Sequence, residues 1–177
     1  MEITLRQERT GDYKQTERVI REAFTTSPVR SGTEYKVVKK LRKESTFNPK
    51  YARVAIEDNQ IIGHAILSQA YVINGLVKTP ILSIGLVSVL PKKQRRGIGT
   101  KLIEDILAIA KSEGEKAVIV LGHPSYYPKM GFKRASTFGI ELPFDAPDEA
   151  FLALELIPKG LSQTSGIVEY PPAFFGT

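Results

Sequence analysis

Cysteine is absent from the 177 residues. That single absence excludes a disulfide framework, a thiolate metal site and a cysteine nucleophile. Histidine is scarce as well: His64 and His123 are the whole complement, too few for a histidine-based zinc centre, so no metal is expected. No apolar run approaches the roughly 20 residues of a membrane-spanning helix. The opening MEITLRQERTGDYK has neither the basic start nor the apolar core of a secretion signal. Internal repeats, low-complexity tracts and Gly/Ser linkers are also missing. These absences together predict one domain, 1–177, in the cytoplasm, without a membrane partner.

The composition itself, 42% hydrophobic and 25% charged, is that of an ordinary globular chain with enough material for a sizeable core. Its net charge of +6 is unevenly spread: residues 1–100 hold 18 Lys and Arg against 9 Asp and Glu, residues 101–177 hold 7 against 10. The excess sits in KVVKKLRK (Lys36 to Lys43) and KKQRR (Lys92 to Arg96). Such a field attracts anions of every kind and names none of them.

The hydrophobic pattern orders the chain. MEITLRQ alternates as a strand does. GDYKQTERVIREAF carries Tyr13, Val19, Ile20 and Phe24 at helical spacing, with Asp12 as the expected N-cap. SGTEYKVVKKLRKE predicts a short basic helix starting from Ser31 or Thr33. From Tyr51 to Pro91 the chain is strand-rich, with EDNQ as a first turn and Asn74–Gly75 as a two-residue hairpin signal. GIGTKLIEDILAIAKSEG gives the clearest helix: Ile98, Leu102, Ile103, Ile106, Leu107 and Ala110 share one face, and Gly114 stops it. KAVIVLG is a short buried strand, so Ile81 to Leu121 predicts a right-handed βαβ unit. SYYPKMGF reads as a short helix and turn, AFLALELIP as a further strand, and YPPAFF as an ordered extended tail.

Chemistry concentrates at the head of the best helix. Gly97 and Gly99 leave backbone N–H groups sterically open where the helix end already offers unsatisfied donors and a positive dipole. That is an anion site sized for phosphate or pyrophosphate, with Lys92, Lys93, Arg95 and Arg96 available at its rim. A tight strand-to-helix turn with solvated cations explains the same residues. The P-loop pattern is absent, and the dinucleotide fingerprint fails because position 102 is Leu rather than Gly. Nucleic acid is disfavoured: the cations precede the helix instead of lining it, Glu104 and Asp105 sit on it, and no aromatic RNA-binding strand motif occurs.

VSVLPKKQRRGIGTKLI resembles motif A of the GNAT N-acetyltransferase family, Q/R-x-x-G-x-G/A, through Gln94, Gly97 and Gly99. YYPKMGF is similar to the family's Tyr-x-x-x-Gly-Phe, through Tyr127, Gly131 and Phe132. The two come in the family's order, and LGHPSYYPKMGF with the tail from Gly166 to Phe174 resembles its YhbS-like branch. The resemblance implies an α+β fold, a mixed and mainly antiparallel sheet flanked by helices, with a cofactor-binding core at 81–133 and C-terminal strands and tail at 134–177. It implies acetyl-CoA as co-substrate, its pantetheine arm pairing with the backbone of Val87, Ser88 and Val89. Its pyrophosphate would lie on the N–H groups of Arg95, Arg96, Gly97, Ile98, Gly99 and Thr100, after Gln94.

Acetyl transfer to an amine needs a neutral nucleophile and a proton for the departing sulfur. The resemblance implies Tyr127 as the proton donor, with a simply packed aromatic as the alternative. Many family members carry a basic Glu on the splayed strand; ILSIGLVSV has none, only Ser83 and Ser88, so the base stays open: His123 could serve, and a structural loop residue or one that tunes the substrate pocket are its alternative readings. His64 falls within a strand and is expected in the core or on the sheet. The expected acceptor is a small-molecule or protein amine; the basic segment Lys36 to Lys43 reads first as a solvated helix face, and near an acceptor site it would favour an anionic acceptor or meet the 3′-phosphate of CoA. The protein is expected as a monomer or homodimer. A non-catalytic CoA-binding module and, behind it, a nucleic-acid binder are the competing readings.

Overall fold

The computed structural model describes residues 2–25 and 34–174. Its strands are β1 (Thr4–Gln7), β2 (Ala52–Glu57), β3 (Gln60–Asn74), β4 (Val77–Val89), β5 (Ala117–Leu121), β6 (Lys133–Arg134), β7 (Ile140–Glu141), β8 (Phe151–Glu155) and β9 (Gly166–Glu169). Its helices are α1 (Tyr13–Phe24), α2 (Glu34–Arg42) and α3 (Ile98–Ser112). Among the described residues the architecture is α+β, a mixed sheet of mostly antiparallel strands with three helices. Among the described residues no helix is long and apolar enough to cross a membrane. The chain forms two compact units that share the long strands β3 and β4.

The first unit takes the described parts of 2–67, then 85–109 and the C-terminal residues from Pro172. Here β1 pairs antiparallel with β2, and β2 with β3, with a register shift at Ala55/Ile56. Asp58 and Asn59 both take positive φ and close the β2–β3 turn where EDNQ predicted it. Ile20 of α1, Val38 and Leu41 of α2, Ala52, Ile66 and Ala173 form one core, with Phe24, Phe47 and Phe174 packed on it. Ile98, Leu102, Ile103 and Ile106 of α3 are all buried, each stabilising the fold by roughly 1.5–3 kcal/mol.

The second unit takes 68–84 and 110–171. β5 runs parallel to β4, at Leu82↔Val118 and Ser83↔Ile119, and antiparallel to β8. β8 also carries β6, while β9 pairs antiparallel with β3 and parallel with β7. The uninterrupted apolar character of β5 follows from burial on both faces, with Ala117 to Val120 all buried. Ala70, Ile81, Ile119, Ile140, Phe151 and Val168 are among the residues of this unit's core.

Three local expectations are corrected. Asp12 does not cap α1: its carboxylate accepts the Arg9 N–H at 2.8 Å and the Arg6 guanidinium at 2.7 and 3.0 Å. A 3-10 turn, Thr10–Asp12, precedes α1, so the side chain that would have capped it closes that turn instead. The β3–β4 loop is two residues long, but it is Gly75–Leu76, with Asn74 still in the strand. Gly75 has φ +60° and supplies the positive φ of a II′-type turn at its first central position. The tail is not extended at its end: Pro172–Phe174 make a 3-10 turn with Ala173 buried. Ser31 and Thr33, the expected N-caps of α2, lie outside the described residues.

Candidate active site

The glycine loop belongs to the first unit. β4 is fastened at its end by Leu90 N–H donating to Ile62 O at 2.9 Å, and Pro91–Lys93 then make a 3-10 turn. The Gln94 amide turns back and donates to Val89 O at 3.0 Å. Arg95 has φ +64° and Gly97 φ +78°, with Arg96 between them at negative φ. Alternation of this kind turns successive N–H groups toward one concavity. The α3 ladder starts where Lys101 N–H donates to Gly97 O at 3.0 Å, so the amides of Ile98 and Gly99 lie ahead of it. Ile98 is buried, which anchors the turn by its side chain. At Gly97 a Cβ would meet no heavy atom within 4 Å, so the space in front of the backbone is open.

The preceding strand has its own opening. Pairing of β4 with β5 is confined to Leu82 and Ser83, and the backbone from Gly85 to Val89 keeps polar groups outside that ladder. Val87 and Val89 are half-buried, whereas Ser88 is buried with its hydroxyl meeting no hydrogen-bond partner among the described residues. An extended chain can add to such an edge as a strand would.

The cations are arranged differently from their sequence. Lys93 Nζ lies 2.7 Å from Glu57 Oε1, and Arg96 donates to both Glu57 oxygens at 2.6 and 3.2 Å. Glu57 ends β2 with its side chain buried. The two guanidinium bonds and the lysine hold its carboxyl down to about 2. Sequence reading missed this residue, because nothing local to AIEDNQ announces a partner 36 and 39 positions away. Lys92 and Arg95 make no ion pair with a described residue and remain available to an anion.

Tyr127 and His123 belong to the second unit, just past β5. Tyr127 opens a 3-10 turn, Tyr127–Met130, that Gly131 ends with φ +97°. Its ring lies on Gly122 so closely that a Cβ there would fall 2.3 Å from Tyr127 Cε2. Phe132 and Tyr126 meet the ring edge-on, with centroids at 5.3 and 5.1 Å. Burial, with a smaller contribution from Tyr126, pushes its hydroxyl up to about 12. His123 is exposed, and its Nδ1 lies 2.8 Å from Ser125 Oγ while accepting the Ser125 N–H at 3.3 Å. A backbone N–H only donates, so Nδ1 is the acceptor nitrogen, and taking up a proton there requires release of Ser125. The two residues are linked through the backbone, with Tyr127 N–H donating to His123 O at 3.5 Å beside the Tyr126 N–H at 3.1 Å. His64 is fully buried beside Glu8, in the core of the first unit. Among the described residues no cluster of three or more His, Asp or Glu side chains is placed to hold a metal ion.

The family model of the acetyltransferase (GNAT) domain matches residues 4–135. The chain is 29% identical over 118 residues to the uncharacterized N-acetyltransferase YjhQ of Escherichia coli K12, a match covering 66% of this chain and 65% of that one. It is 26% identical over 145 residues to the uncharacterized N-acetyltransferase YhbS of the same organism, covering 81% and 84%. A crystal structure of YhbS from Escherichia coli in complex with CoA superposes with a TM-score of 0.88 at 25% identity, over 99% of this chain and 94% of that one. A GNAT family acetyltransferase from Brucella melitensis, in complex with acetyl-CoA, gives a TM-score of 0.80 at 29% identity, over 98% of both chains.

Proposed function

Because the chain belongs to the GNAT acetyltransferase family, we propose that it transfers an acetyl group from acetyl-CoA to a primary amine of a small molecule or a protein. The observation that carries this reading is the backbone at Gly97: φ +78°, open space where a side chain would stand, and the head of α3 directly behind it. These features fit a pyrophosphate, which needs converging N–H donors and close approach of the backbone. Arg95, Arg96, Gly97, Ile98 and Gly99 would present those donors, and the backbone of Val87 to Val89 would take the pantetheine arm as an added strand. Bound acetyl-CoA supplies the acetyl group as a thioester.

Tyr127 is assigned as proton donor to the departing sulfur. With its hydroxyl raised to about 12, it holds its proton at Oη across the whole working range and has one to give. His123 is the base candidate of the same proposal, acting at Nδ1 once Ser125 lets go.

Titration calorimetry with CoA tests the reading directly, and CoA at a hundredfold over its Kd should add about 2.7 kcal/mol to apparent stability. Absence of CoA binding, with a response to duplex DNA instead, overturns it. Tyr127→Phe should leave CoA affinity unchanged and lower kcat roughly hundredfold. An unchanged kcat removes Tyr127 from the donor role, and a pH–rate limb from tyrosine below pH 10 contradicts its protonation.

A further inference from the structure

We infer that Glu57 is a positioning residue for the pyrophosphate loop: one buried carboxylate holds Lys93 and Arg96, pins the chain on both sides of Arg95, and so fixes the concavity before any anion arrives. The inference rests on the reading of that loop as the CoA site.

Four consecutive residues carry the argument. Lys93 is tied to Glu57 at 2.7 Å, Gln94 to Val89 O at 3.0 Å, and Arg96 to Glu57 at 2.6 and 3.2 Å. Arg95, the one residue of the four not held by its side chain in this way, carries the left-handed φ of +64°. That conformation is costly for any residue with a Cβ and persists where its surroundings over-determine it. The over-determination is visible here, because the flanking residues are anchored to β2 and β4 at once. Gly97 then continues the alternation with φ +78°.

The arrangement also divides the labour among the four cations of KKQRR. Lys93 and Arg96 are engaged by Glu57 and shape the loop, while Lys92 and Arg95 are left to meet phosphate oxygens. An exposed ion pair contributes little, but the Glu57 carboxylate is buried and accepts a bidentate guanidinium, the geometry that fixes direction as well as distance. A loop held in its binding shape forfeits less ordering entropy when the ligand arrives.

The test compares two ligands on the full chain. CoA uses the pyrophosphate cradle; pantetheine lacks the pyrophosphate and the nucleotide and uses only the strand edge. Glu57→Gln should weaken CoA about tenfold in titration calorimetry, since a loop no longer held in its binding shape must be ordered when the ligand arrives. Its thermal-shift response to millimolar pantetheine should stay within about twofold of wild type. Equal weakening toward both ligands makes Glu57 a general stabiliser and overturns the inference. So does unchanged CoA affinity, or tighter binding, which would make Glu57 a competitor for the cations. If Glu57→Gln fails to fold by circular dichroism, Arg96→Met releases the same clamp from its accessible end, and unchanged CoA affinity in that variant is equally fatal. Failure of the wild-type chain to bind CoA sinks the proposed function instead, so the two failures are distinguishable.

Discussion

Glu8 and Glu57 are both carboxylates with side chains 1% exposed, and each holds a guanidinium from one of the two basic runs. Around Glu8 the cation is buried too: Arg42 of α2, 6% exposed, donates at 2.7 and 3.2 Å and stacks 3.9 Å over the Tyr13 ring. His64 Nε2 stands 3.3 Å away, too poorly aligned to hydrogen-bond, with Nδ1 also unpartnered among the described residues. Around Glu57 the cations keep an accessible side, with Lys93 at 32% and Arg96 at 38% exposure. The first cluster closes a core and docks α2; the second ties down the surface loop proposed to meet an anion. A run of lysines and arginines in a sequence therefore counts charges without saying which of them remain free, and a distant buried acid decides that.

The widest separation between the two clusters is expected from Glu8→Ala. Breaking a buried pair from one side leaves the buried Arg42 guanidinium with the more distant Glu17 carboxylate at 4.0 Å, and unfolding in urea should require about 3 kcal/mol less. CoA affinity of the folded fraction should hardly change; a loss comparable to that of a loop variant would erase the distinction. Gly97→Glu is the opposite case. A side chain at φ +78° destabilises the backbone by roughly 1–2 kcal/mol, whereas a carboxylate facing the pyrophosphate should lower CoA affinity about hundredfold. Calorimetry and a melting curve on one preparation separate the two effects. Gly97→Ala, meeting no atom within 4 Å, should show the backbone cost alone.

Acid sharpens the comparison with the smallest effect. Burial pushes the Glu8 carboxyl up, but its close neighbours His64 and Arg42 outweigh it and bring it to about 2; Arg96 and Lys93 bring Glu57 to about 2 as well. Both folded values lie below the ordinary 4.5. The stability these pairs contribute is therefore fully present above that value and is lost as pH falls toward 2. Urea midpoints taken across that window should fall in wild type, and Glu57→Gln should flatten only part of the fall. A flat wild-type profile would contradict both assignments.

Much of the fold was legible because its signals are local. The stripe from Ile98 to Ala110, the apolar run of β5 and the turn at Asp58–Asn59 each lie within one element, and the structure keeps them. The α1 start was misread because Asp12 has two nearby donors, Arg6 and Arg9 N–H, that compete with the helix amides. The hairpin slipped by one residue because Gly75 satisfies a turn with one positive φ as well as a turn with two. At the candidate site, Gly97 and Tyr127 could be proposed from motif spacing. Glu57 could not, since its role depends on β2 ending beside a loop 36 residues later. Nor could the use of Nδ1 of His123 by Ser125.

The 3-10 turn at Pro172–Phe174 has a consequence for synthesis. Ala173 is a buried member of the same core as Ile20, Val38 and Leu41, and its N–H donates to Glu44 at 3.1 Å. That core joins residues that precede the second unit's sequence to Ala173, which follows it. A chain still emerging from the ribosome therefore carries α1 and α2 with one wall of their core unmade. Contacts of such long sequence separation slow folding and prolong exposure of apolar surface, so the nascent first unit is the part that most needs shelter until residue 174 is out.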